Sequence, residues 1–311
     1  MTKRHKIGLA VFGDHPTIEI TAEEAAAIRA AKRDLIVFIG IEGKFDLLVA
    51  NYVEYETTVL DLAVNQMVYR DWGWHEGQDE VQLVNRRLLN VLAAARLYLD
   101  QVRHDFGQVY PADGKEMVKK LTAEQYDGKL GYRVMEELRN SVQHRTLPVD
   151  GITYSTTVDA PGRAGTGVRF GVIPGLDPAR LAAGDRDFKP RILGELREKS
   201  EANKGKRVPL TPLLREYVEG LGAVNEALRK HAETDVERCG KLLASVIEQA
   251  RREISEQTLG LAVVVEDEEG NWSDEDDIFG DLWTRWQGLV TKNRLHERLA
   301  RRYVNGRGEG D

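Results

Sequence analysis

From Val81 to Val102 the apolar residues Val81, Val84, Leu88, Val91, Ala95, Tyr98 and Val102 recur in alternating steps of three and four. This is the spacing of one face of a helix, and it excludes a strand, whose faces alternate every second residue. The seam is narrow and long enough to pack against two neighbours, so the chain around it is committed to helix-on-helix packing.

The flanking sequence supports a mainly α protein. Thr21 followed by Glu24 has the form of a capping box opening a short helix over residues 21–32. Leu35 to Ile39 is a β-branched run that reads as a short buried strand, giving an N-terminal helix-strand segment over residues 1–45. From Lys44 to Trp72 the pattern is helical, with Leu48, Tyr52, Tyr55, Val59, Leu62 and Met67 on one face. Thr122 and Gln125 form a second possible capping box before Leu130, Val134, Leu138 and Val142, which makes residues 46–150 a helical bundle. After Pro148, Ile152–Val158 and Val168–Ile173 are expected to pair as a β-hairpin within residues 151–177. Its glycines, Gly162, Gly165 and Gly167, lack the spacing and the following Gly-Lys-Ser/Thr of a phosphate loop. Residues 178–311 read as a C-terminal helical region, with Thr211-Pro212 as a helix start and a break expected near residues 231–234 or at Gly240. Leu259–Val265 is a further strand candidate, and Ile278–Tyr303 reads as a final helix.

The formal charge of −7 argues against a general nucleic-acid binder, but it is unevenly spread. Residues 266–277 hold eight acids and no base, and without them the chain is close to neutral. They are expected to form an acidic loop, solvated or docking a protein, that repels RNA and restrains the basic tail from Arg285 to Arg307. Cys239 is the single cysteine, which excludes a disulfide framework within one chain and fits a cytoplasmic location. No segment has the apolar length of a membrane span or a signal-peptide core, so no membrane partner is expected.

The residues that carry chemistry are Arg139, Asn140 and His144, in Glu-Glu-Leu-Arg-Asn-Ser-Val-Gln-His at the end of the last bundle helix. Asn140 and His144 lie about 40° apart on an ideal helix, and Arg139 lies about 140° from His144, so all three converge if the helix end unwinds before Pro148. Arginine holds a phosphate by two parallel hydrogen bonds, and histidine transfers protons near neutral pH. These are parts for cutting RNA: a base takes the 2′-hydroxyl proton, an acid protonates the 5′-oxygen, and a cation steadies the phosphorane. The alternative is an ordinary polar helix end in which Arg139 pairs with Glu136 and His144 caps carbonyls. His75-Glu76 and His104-Asp105 lack a third partner at metal-ligand spacing, His231 and His296 are isolated, and Cys239 reads as a buried spectator. No metal or other cofactor is expected.

The same residues resemble the Arg-(polar)-x3-His signature of HEPN domains, found in prokaryotic ribonucleases of toxin–antitoxin, CRISPR-associated and anti-phage systems. The resemblance covers roughly residues 46–150, including the position of the motif late in the last long helix of a bundle. It implies a HEPN-like helical bundle with Arg139, Asn140 and His144 as the catalytic site, assembled across a homodimer. The subgroup with Tyr two residues after the His does not fit, because Thr146 stands there. The function implied is a metal-independent endoribonuclease in phage defence or growth control, with RNA as substrate and an antitoxin or activating protein as a further partner. The alternative is a non-catalytic HEPN-like RNA- or protein-binding scaffold. A shared site would set the 81–102 and 130–144 seams near a two-fold axis.

Overall fold

The computed structural model describes residues 4–11, 15–69, 74–142, 147–158, 168–185, 187–294, 298–302 and 304. Among them the chain is mainly helical, with eight α-helices and two small antiparallel sheets. The order is β1 (Arg4–Leu9), β2 (Ile18–Ile20), α1 (Ala22–Val68), α2 (Trp74–Val109), α3 (Gly114–Gly128), α4 (Leu130–Val142), β3 (Gly151–Val158) and β4 (Val168–Leu176). There follow α5 (Pro178–Gly184), α6 (Pro190–Ala202), β5 (Val208–Pro209), α7 (Leu210–Glu253), β6 (Leu261–Glu266), β7 (Trp272–Asp277), α8 (Leu282–Lys292) and a 3-10 turn (Leu299–Arg301).

Two compact units interleave along the chain, whereas the sequence suggests consecutive segments. The first gathers Met1–Gly43, Gln101–Lys115 and Ala227–Arg294, and the second gathers Lys44–Asp100, Glu116–Glu226 and Leu295–Asp311. Helices α1, α2 and α7 each contribute residues to both.

The first unit contains the sheet β2-β1-β6-β7, in which Ile7 pairs with Ile18 on one side and Val263 on the other. The capping box is present: Glu24 N–H donates to Thr21 Oγ1 at 3.1 Å, and Thr21 N–H to Glu24 Oε2 at 2.8 Å. Leu35–Ile39 is not a strand but part of α1. Burial there falls on Ala31, Leu35, Phe38, Ile41 and Phe45, a helical period that continues the helix on either side and overrides the local β-branched preference. The acidic stretch is likewise not a loop throughout, because Trp272–Asp277 is strand β7. Its charge is met locally: Arg29 donates to Asp274 at 2.5 Å and Lys32 pairs with Asp276, both from α1. Helix α7 runs through residues 231–234 and Gly240 without a break. Gly240 is instead a contact point, since a Cβ there would overlap the Trp283 indole of α8. The final helix ends at Lys292 and does not extend to Tyr303, which lies outside the described residues.

In the second unit the seam residues Val84, Leu88, Val91, Ala95 and Tyr98 of α2 are fully buried, and the Tyr98 hydroxyl donates to the buried Asn225 Oδ1 at 2.9 Å. This seam is spent inside the chain, so its α2 part does not supply a surface for a second copy. Leu48, Tyr52, Tyr55 and Leu62 of α1 and Leu214, Tyr217, Leu221 and Val224 of α7 are also buried, but Met67 is exposed. Thr122 does not cap a helix: it lies within α3, where its hydroxyl donates back to the Val118 and Lys119 carbonyls at 2.9 Å. The hairpin β3–β4 forms as expected, with Thr153 opposite Ile173, and β5 joins its far edge. Its connecting loop, with Gly162, Gly165 and Gly167, lies outside the described residues.

The first unit also holds a buried ion pair, with Arg229 Nε and Nη2 donating to the two Glu42 oxygens at 2.7 and 2.6 Å. Removing one member of such a pair leaves a charge stranded away from water, whereas replacing both with apolar groups does not. Glu42→Ala is therefore expected to lower unfolding stability by about 3–5 kcal/mol, and Glu42→Leu combined with Arg229→Met to lower it far less. Urea denaturation of the single and double variants checks this, and equal losses from both would contradict it.

Candidate active site at the end of helix α4

Helix α4 forms because Val134, Met135 and Leu138 give it a fully buried face, and its position is set by hydrogen bonds with α3, α6 and α7. At its start Gly131 N–H donates to Glu216 Oε2 at 2.8 Å, and Lys129 Nζ donates to Glu219 Oε1 at 2.9 Å. Only glycine fits at 131, because a Cβ would overlap the Leu213 carbonyl oxygen of α7. One turn on, Arg133 donates to the Tyr126 and Asp127 carbonyls that end α3, both at 2.9 Å, and to Glu195 Oε2 of α6 at 2.5 Å. Buried Glu137 accepts the Lys189 N–H at the start of α6 at 3.3 Å.

The last turn of α4 brings Arg139 and Asn140 together. Arg139 Nη2 donates to Asn140 Oδ1 at 3.3 Å, and Nη1 lies 3.1 Å from Glu136 Oε2 and 3.3 Å from Oε1. Glu136 also accepts the Tyr217 hydroxyl of α7 at 2.6 Å. The Tyr217 ring meets Tyr132 edge-on with centroids 5.0 Å apart. Among the described residues the buried Tyr132 hydroxyl has no hydrogen-bond partner. The Arg139 side chain is 11% exposed and Asn140 is exposed, so the guanidinium is largely covered while the amide beside it faces solvent. Burial pushes the Tyr217 and Tyr132 phenols above their ordinary range, and the Glu136 carboxylate adds to this, so both remain neutral and Tyr217 keeps the proton it donates to Glu136.

His144 lies outside the described residues. The chain beyond it returns to a fixed point: Asn85 Nδ2 of α2 donates to the Val149 carbonyl at 2.8 Å, and Val149 N–H donates to Asn85 Oδ1 at 3.0 Å. Asp150 next to it accepts from Arg207 Nε at 2.9 Å.

Of the three residues singled out from sequence, Arg139 and Asn140 are adjacent in the structure, and Arg139 is held by Glu136. That ion pair was visible in the sequence as an i, i+3 spacing. Tyr217 was not, since it arrives from a helix 81 residues further along the chain. His104 is bonded to Gln108 at 2.8 Å, and the His231 ring stands edge-on to Tyr110. Cys239 is buried, with its thiol pushed up chiefly by that burial. His296 and the side chains of His75 and Glu76 lie outside the described residues. Among the described residues no helix is long and apolar enough to cross a membrane. In comparisons with known proteins, no family model, curated protein or solved structure matches the chain.

Two outcomes follow from this geometry. Asn85→Ala removes both partners of the buried Val149 peptide groups and is expected to cost about 2–4 kcal/mol in urea denaturation. A loss below a few tenths of a kcal/mol would show that Val149 is not held in this way. The tyrosines set the alkaline limit. Burial raises the folded-state phenol pKa of Tyr52, Tyr55, Tyr132 and Tyr217 above the unfolded value of about 10, so their contribution is intact below that pH and is lost as pH rises beyond it. Phenolate absorbance from these four should appear only together with loss of the helical circular dichroism signal. Ionisation of all ten tyrosines near pH 10 in a folded chain would contradict this.

Proposed function

We propose that this protein is a HEPN-type, metal-independent endoribonuclease acting in phage defence or growth control, with Arg139, Asn140 and His144 as its catalytic residues. The observation that supports it is the contact between the Arg139 guanidinium and the Asn140 amide in the last turn of α4, a few residues before His144 in sequence. In the reaction, the 2′-oxygen attacks phosphorus as its proton passes to a base. The bond from phosphorus to the 5′-oxygen breaks as that oxygen takes a proton from an acid, giving a 2′,3′-cyclic phosphate and a 5′-hydroxyl. Arg139 donates to the non-bridging oxygens, and Asn140 orients the phosphate or the imidazole. Glu136 shares the guanidinium with the incoming phosphate, and the Tyr217 hydroxyl holds that carboxylate back. His144 carries one proton transfer. A second copy of the chain supplies the other, so the working form is a homodimer, and an antitoxin or activating protein is a fitting regulator.

A second reading is favoured by a specific observation. The Glu136 carboxylate already neutralises Arg139 within the fold and is buttressed by Tyr217, as suits a non-catalytic HEPN-like domain that binds RNA or a protein through the exposed Asn140 edge.

A gel assay on structured and unstructured RNA separates the two. On the nuclease reading, the purified protein cuts RNA in excess EDTA, and His144→Ala lowers the rate about 10²–10⁴-fold with unchanged circular dichroism. Arg139→Lys is expected to lower it about 10²-fold or more, because an ammonium cannot make the planar two-pronged contact. Wild-type cleavage by His144→Ala would overturn the mechanism. RNA binding without cleavage, equal in wild type and His144→Ala, would support the second reading.

A further inference from the structure

Within the second unit, α1 has an apolar face that nothing described in the chain covers. Its inner face carries the buried Leu48, Tyr52, Tyr55 and Leu62, yet on the opposite side Ala50, Val53, Thr57, Leu60, Val64 and Met67 are all exposed. These six follow steps of three and four, with each position repeating every seven residues, the spacing that keeps one seam facing a partner helix. A helix apolar on both sides is one whose two faces are both buried in its working state.

We propose that this face of α1 is a self-association surface, on which α1 of a second copy packs antiparallel across a two-fold axis at the level of residues 58 and 59. Two features point to a second copy as occupant. The first is size matching. In that register Ala50 faces Met67, Val53 faces Val64 and Thr57 faces Leu60, so the small side chain at one end receives the long one from the other. The second is area. The exposed apolar side chains from Leu47 to Tyr69 leave roughly 700 Å² open per copy, so a pair removes at most roughly 1,400 Å², a ceiling that reaches the range of specific dimers.

This surface differs from the α2 seam, which is buried within the chain. The inference goes beyond the homodimer of the ribonuclease reading in naming the face: a dimer that survives the two glutamates overturns this face and leaves that reading standing, and a dimer that does not cleave RNA does the reverse. Light scattering on the full chain should give the mass of two copies. Leu60→Glu combined with Val64→Glu should give the mass of one copy with unchanged circular dichroism, since both positions are exposed. Ala50→Cys with Met67→Cys should form a covalent dimer on oxidation, seen on a non-reducing gel, and Ala50→Cys alone should not. A wild type of single-copy mass at tens of micromolar would overturn the proposal. So would a dimer that survives the two glutamates, or cross-linking by Ala50→Cys alone.

Discussion

Helix α4 is gripped by barely more than one turn of α7, and the surroundings of Arg139 depend on that grip. Glu216 takes the Gly131 N–H, Glu219 takes Lys129, and Tyr217 reaches Glu136. The contacts begin where α4 begins, so the helix is fixed in rotation as well as position. Because the Leu213 carbonyl leaves no room for a Cβ at 131, the two backbones stand close enough for these short side-chain reaches. Arg139 then points where Glu136 can meet it, and Glu136 is in turn anchored by a buried phenol that stays neutral.

Charge is abundant in this chain, and much of it is settled internally. Glu42 holds Arg229, Glu56 holds Arg215, Glu195 holds Arg133 and Glu136 holds Arg139. Each joins a cation to a carboxylate where neither is fully hydrated. Such pairs fix geometry more than they add stability, since desolvation offsets much of the attraction. The acidic strand β7 follows the same logic nearer the surface, with Arg29 and Lys32 set against Asp274 and Asp276. The net charge of −7 therefore understates how much of the charge is engaged locally.

Helix α1 is the element whose pattern is used twice. Its inner side closes the core, and its outer side repeats an apolar seam in the heptad sense. Met67 belongs to the second pattern: it lies five residues from Leu62, about 140° round an ideal helix, which takes it off the inner face and leaves it exposed where burial was expected.

The α2 seam, the Thr21–Glu24 cap and the β3–β4 hairpin are all local patterns that the sequence was sufficient to show, because they need no distant partner. The adjacency of Arg139, Asn140 and Glu136 was likewise determined locally, by helical spacing. Three things were decided only by tertiary structure. Leu35–Ile39 became helix because its neighbours on both sides extend one buried face through it. Residues 272–277 became a strand because β6 offered an edge and α1 offered cations. Tyr217 joined Glu136 because α7 folds back on α4, a contact between residues far apart in the chain. Spacing within a helix is written in the sequence itself, whereas the partner of a face or a strand edge depends on which distant segment reaches it.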